Sequence, residues 1–191
     1  MNVLLEEVRA CTHCAPHFTE HEPRPVLRAA SNARVMLVGQ APGRKVHATG
    51  IPWNDPSGDT LRAWLDVDRD LFYDESKFAI VPMGFCYPGH GTTGDLPPRP
   101  ECAPMWQERI RALLPALELT VLIGSYAHRH YLDGRARTSV SDTVASFREY
   151  LPEYIVTPHP SPRNRRWMKM NPSFYHEVIP ELRARVHTLI G

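Results

Sequence analysis

Four short apolar runs rich in β-branched residues, at 35–39, 78–83, 119–124 and 154–157, constrain the fold of this 191-residue chain more than any other feature. They read as buried strands, and helical patterns lie between them. Residues 2–10 carry apolar side chains at helical spacing. Residues 57–67 open on Ser57 as an expected N-cap, with Leu61, Trp64 and Leu65 as an apolar stripe. Residues 104–117 place Met105, Ile110, Leu113 and Leu114 on one side, and 125–132, 141–150 and 172–190 complete the expected helices. Strands alternating with helices predict a parallel sheet covered on both faces. The expected fold is therefore α/β, a three-layer α/β/α domain around a central four-stranded, mainly parallel sheet, with residues 1–191 as one domain.

Bulk charge and hydropathy exclude several classes. The net charge of +1 rules out a polycation, so contact with nucleic acid has to come from a local patch. Arg163, Arg165, Arg166 and Lys169 form one candidate patch, and Arg44 with Lys45 a second pair. No apolar run approaches the length of a membrane span. The first ten residues are amphipathic and carry Glu6 and Glu7, unlike a signal peptide. A cytoplasmic protein, a monomer without membrane contact, is expected.

In sheets of this kind ligands sit beyond the carboxyl ends of the strands. Three informative segments follow such ends: Gly39-Gln40-Ala41-Pro42-Gly43, the long stretch 84–104, and the run from His159 to Trp167. The last packs one imidazole, two prolines, a hydroxyl, three guanidiniums and an indole into nine residues. The prolines stiffen the loop that carries His159 and Ser161, and guanidinium forks suit phosphate. A rigid His beside a phosphate-binding surface suits an enzyme acting on a nucleotide base. The four cysteines are Cys11 and Cys14, as C-x-x-C, and Cys86 and Cys102 in or beside the long stretch after the second strand. In a cytosolic protein a structural disulfide is not expected. Two pairs of thiolates suit a tetrahedral zinc or an iron–sulfur cluster, and buried free thiols are the metal-free alternative.

Together these residues resemble the uracil-DNA glycosylase superfamily, and within it the iron–sulfur branch known as family 4. Gly39 to Gly43 resembles that branch's G-E-[AG]-P-G, and Gly50-Ile51-Pro52-Trp53 with Gly58 and Leu61 resembles its G-x-P-F-x4-G-x-x-L. His159-Pro160-Ser161 resembles the H-P-S that opens its second active-site motif, and Cys11, Cys14, Cys86 and Cys102 match the order of its cluster ligands. The resemblance implies a [4Fe-4S] cluster, with zinc the lesser candidate. The chain departs from the pattern at Gln40, where family 4 has Glu, and at Ala41, where the best-known branch has Asp. Asp55-Pro56-Ser57-Gly58-Asp59 instead resembles the G-D-x-S-G of family 5. The base-recognising Asn near the end of the second strand is absent, and Pro82 stands about where it belongs.

The implied reaction is hydrolysis of the bond between sugar and base, for uracil or a related deaminated base flipped out of DNA. It needs groups that stabilise a cationic sugar and an anionic base. His159 is the expected donor to the base. Asp55 is the first choice of carboxylate and Asp59 the second. The backbone N–H groups of Gln40 and Ala41 are further donors. Trp53 is the expected stacking plate, with Asn54 and Pro82 beside it as base-binding candidates. Ser161, Arg163, Asn164, Arg165 and Arg166 are the DNA-binding candidates, and Asn164 or Trp167 the candidate wedge into the gap left by a flipped base. Two rival readings keep the fold and drop the reaction: a non-catalytic binder of lesions or single strands, and a metal-dependent redox or regulatory module.

Overall fold

A computed structural model describes residues 1–92 and 94–191; Thr93, within the stretch 84–104, lies outside the described residues. Four strands, β1 (Val35–Val38), β2 (Phe78–Ile80), β5 (Leu119–Ile123) and β6 (Tyr154–Thr157), form one sheet in the order β2-β1-β5-β6, parallel throughout. Every residue of these strands is buried, as a sheet covered on both faces requires. A two-stranded antiparallel ribbon, β3 (His90–Gly91) with β4 (Gly94–Asp95), stands apart from it.

The chain leaves β1 toward one edge of the sheet and returns from β2 across it to β5 and β6. Right-handed crossovers therefore put α2 (Arg44–Thr49), α3 (Pro56–Leu65) and α4 (Arg69–Phe72) on one face. The same rule puts α5 (Cys102–Arg111), α6 (Ser125–Tyr131) and α7 (Val140–Ala145) on the other. After β6, α8 (Arg165–Met170) leads through a π-helical turn at Phe174–Val178 into α9 (Ile179–Ile190), which packs on α3. The amino-terminal α1 (Asn2–Arg9) buries Leu4, Leu5 and Val8 and is tied to α5 by a forked Arg109–Glu7 ion pair. The outcome is the expected three-layer α/β/α arrangement. The strand order reverses between β1 and β5, so the crevice at their carboxyl ends is the topological switch point.

Several expected boundaries move. Asp55, not Ser57, caps α3: its Oδ1 accepts the Gly58 N–H at 2.8 Å, and Pro56 takes the first helical position. A carboxylate there satisfies an orphan amide and meets the positive end of the helix. Strand β2 stops at Ile80, after which residues 81–84 bond back to the β1 end through Val81 N–H to Leu37 O, Met83 N–H to Gly39 O and Gly84 N–H to Gln40 O. The segment at Val26 and Arg28 runs antiparallel to β2, with Arg28 and Ile80 exchanging both backbone hydrogen bonds. That pairing covers the sheet edge.

His128 of α6 is fully buried, and its Nε2–H is shared between Leu122 O and Thr157 O, both at 3.1 Å. Burial pushes its pKa down to about 4. The unfolded chain takes up this proton near the ordinary histidine value and the folded chain only near 4, so stability drops as pH falls across that window. The contribution is about 3 kcal/mol in full. Denaturant midpoints at about pH 7 and about pH 4.5 are expected to differ more for the native chain than for His128→Gln; equal differences would remove His128 from the account.

Candidate active site

A cavity of about 450 Å³ opens at the switch point. Its walls come from the turn after β1 (Gly39 to Gly43), from Pro52, Trp53 and Asp55 ahead of α3, from Pro82 after β2, and from Gly94 and Asp95 of the ribbon. His159, Ser161, Arg163 and Asn164 after β6 complete it. All three segments singled out at strand ends meet here.

Trp53 is held by its neighbours' lack of side chains. Its backbone is in the left-handed region at φ 55°, which is strained for an aromatic residue. A Cβ on Gly39 would lie 2.7 Å from the indole Cζ2, and one on Gly58 only 1.7 Å from the Trp53 carbonyl oxygen. That carbonyl also accepts from Arg62 Nη1 at 3.3 Å. The indole therefore lies flat against bare backbone at the end of β1, and its ring centroid is 5.6 Å from that of His159.

His159 follows β6 with Pro160 behind it, and both its side chain and its main chain are tied down. Nδ1 accepts the Ser161 N–H at 3.2 Å, and the His159 carbonyl accepts from Asn164 Nδ2 at 2.8 Å. Burial lowers the pKa of the imidazole, and the Asp55 and Asp95 carboxylates oppose that shift. A neutral ring whose Nδ1 is an acceptor carries its proton on Nε2. His159 is thus a fixed N–H donor in the field of two carboxylates.

Other expected residues fall into two groups. Asp55 lines the cavity while capping α3. Asp59 turns away to an ion pair with Arg62 at 2.6 Å. Gln40 lines the cavity, and its Nε2 donates to Leu96 O at 3.2 Å. Ala41 lines it through the same turn. Pro82 is a buried part of the wall, and its carbonyl accepts from Gln107 Nε2 at 2.7 Å; the Tyr131 hydroxyl bonds the other end of that amide at 2.6 Å. Asn54 is not among the lining residues, and its Oδ1 accepts from Arg69 Nη2 at 3.1 Å.

Ser161 Oγ accepts the Arg163 N–H at 3.3 Å within a 3-10 turn, Pro162–Asn164, and Arg165, Arg166 and Lys169 are exposed on α8. Both wedge candidates have partners within the protein. Asn164 is bonded to His159, while the Trp167 indole donates to Ser141 Oγ at 2.7 Å and packs edge-on against Phe174. An indole held in that way is part of the helix packing.

Residue-by-residue reading missed Asp95, which lines the cavity, and Gln107, which braces its wall from behind through the Pro82 carbonyl. Asp95 carried no motif, and Gln107 looked like one polar position on an amphipathic helix.

The four cysteines line a second cavity with Phe18, Pro23, Pro25, Phe85, Trp106 and the side chain of Arg99, which bonds Cys14. Cys11 follows α1, Cys14 leads a 3-10 turn, Cys86 lies after β2 and Cys102 opens α5. The Phe85 N–H donates to Cys102 Sγ at 3.4 Å, and the Arg24 N–H reaches Cys86. Burial pushes the Cys86 thiol up to about 11 and the Cys102 thiol to about 12. Among the described residues, no three His, Cys, Asp or Glu side chains close on one point as a single metal ion demands. The four residues instead share the lining of one cavity.

The fold and the cavity define an α/β protein with a ligand site at a sheet switch point and a neutral imidazole donor inside it. The family model described as "Uracil DNA glycosylase superfamily" matches residues 27–183, and the chain belongs to that superfamily. It is also similar, at 15% identity and a TM-score of 0.49, to a solution NMR structure of a protein from Methanosarcina acetivorans provisionally named as a uracil DNA glycosylase. That match covers 83% of this chain and 98% of the other.

Gly58→Ala is expected to destabilise the fold by about 2–3 kcal/mol, because the added methyl overlaps the Trp53 carbonyl. The melting temperature should fall by roughly 5–10 °C. A variant that melts with the native protein would show that Trp53 is not clamped as described.

Proposed function

We propose that the protein is a monofunctional DNA glycosylase that hydrolyses the N-glycosidic bond of uracil or a related deaminated base and leaves an abasic site. The observation that carries this reading is one cavity lined together by the Trp53 plate, Asp55 and a His159 whose ring centroid lies 5.6 Å from the indole. Its volume lies in the range of sites for small ligands. A base extruded from DNA would stack on Trp53 and present an oxygen to the His159 donor. Asp55, fixed by its bond to Gly58, would place negative charge near the sugar as it becomes cationic. The Gln40 and Ala41 backbone would form the remaining wall.

Arg165, Arg166 and Lys169, exposed on α8, would meet phosphates outside the cavity, and Arg163 would meet them from its wall, making binding salt-dependent. With Pro82 where an Asn would read uracil, selectivity would come from cavity shape and the His159 donor, which admits related bases. No helix among the described residues is long and apolar enough to cross a membrane. We place the protein in the cytoplasm as a monomer acting on damaged DNA.

The four cysteines fit a [4Fe-4S] cluster better than zinc: all four line one cavity with mostly apolar walls and Arg99, and backbone N–H groups approach two of the sulfurs. Cys11, Cys14, Cys86 and Cys102 would hold it. A bound cluster would supply cross-linking between α1, the segment after β2 and α5, with no part in breaking the glycosidic bond. Thiols pushed up by burial would lose their protons on ligation, which couples cluster binding to folding.

Two measurements test these assignments. In single-turnover excision on an oligonucleotide holding one deoxyuridine, His159→Ala should lose about 10²- to 10³-fold and Asp55→Asn about 10²-fold. Tight binding of that DNA with no excision by the native protein would instead favour a non-catalytic binder. Cys86→Ala should lose both visible absorbance and thermal stability, and a colourless native protein containing zinc would overturn the cluster assignment.

A further inference from the structure

The β3–β4 ribbon brings a carboxylate into the cavity that the mechanism above does not use. Asp95 lies opposite His90 in the ribbon register, and its Oδ1 accepts from His90 Nδ1 at 3.3 Å. It lines the same cavity as Trp53, Asp55 and His159. A Cβ on Gly43 would sit 3.4 Å from Asp95 Oδ2 and 3.9 Å from Asp55 Oδ2, so the two carboxylates converge on one point of the wall. Both act electrostatically on His159. The ribbon is held over the site: Gln40 bonds Leu96 O, Leu96 N–H bonds Gly89 O at 3.0 Å, and the Arg163 guanidinium packs against Gly94.

The surroundings of the two carboxylates differ. One oxygen of Asp55 is committed to capping α3, and rotating that carboxyl to follow a proton would break the cap. Asp95 sits on a ribbon with its side chain 43% exposed and paired with another side chain, so it can take and release a proton without disturbing a helix.

We propose that Asp95 is the general base of base excision and His90 the residue that positions it; the assignment rests on the glycosylase reading. Asp95 takes a proton from a water molecule as the water oxygen bonds to C1′ of the sugar. The C1′–N bond breaks, its electron pair leaves with the base, and His159 Nε2–H donates to the base oxygen where that charge gathers. Asp95 gives its proton to solvent as the products depart.

The test uses an end-labelled oligonucleotide with one deoxyuridine for single-turnover rates, and the same sequence with a tetrahydrofuran abasic analogue for affinity. Asp95→Asn should slow excision by about 100-fold or more with affinity within about twofold of the native protein. Asp95→Glu should recover part of the rate, and His90→Ala should lose about tenfold with the same affinity. Native-rate excision by Asp95→Asn, with His159→Ala inactive, would overturn the role of Asp95 and leave the glycosylase reading intact. Loss of rate and affinity in equal proportion would make Asp95 a docking residue and overturn the assignment. A native protein that excises no base would overturn both.

Discussion

The site depends on how Trp53 is held. Its indole occupies the space where a side chain on Gly39 would be, and its carbonyl occupies the space of one on Gly58. Neither approach is possible with any residue but glycine at those positions. The left-handed backbone of Trp53 is strained, and α3 and the end of β1 hold it from two sides. With the plate fixed, the distance to the imidazole is set by the sheet, since the indole rests on the end of β1 and His159 follows β6.

The second constraint is the direction of one hydrogen bond. A backbone N–H two residues along the chain points at Nδ1 of His159. This bond selects the tautomer, and burial keeps the ring neutral, so the protein presents a donor without presenting a full positive charge. A neutral donor suits a leaving group whose negative charge appears only as the bond breaks. Asp55 and Asp95 add negative charge in the same cavity, where a developing sugar cation would need it.

Much of the architecture was legible because burial on both faces leaves a simple trace: runs such as 119–123 have no polar alternation to confuse with a solvent-facing strand. The meeting of the three strand-end segments also followed from topology alone. Local hydrogen bonding was harder to read. Asp55 and Ser57 are both good caps by residue type, and the choice between them depends on Pro56 fitting the first helical position. Trp167 looked free because its partner, Ser141, is 26 residues away in the chain. The ribbon escaped notice because two-residue strands have no periodicity, and Asp95 reaches the cavity only through that ribbon. Gln107 was hidden for a related reason: its amide bridges Pro82 and Tyr131 across elements far apart in sequence.

One feature of the sheet bears on how the site is maintained. His159 hangs from β6, which pairs on one side only, with β5, through four residues. The plate rests on Gly39 at the end of β1, which is paired on both sides. Local opening of a protein is easiest at such margins. Fraying of β6 would withdraw the imidazole while Trp53 and the cysteine-lined space stayed in place, so the molecule can lose its donor long before it loses its fold.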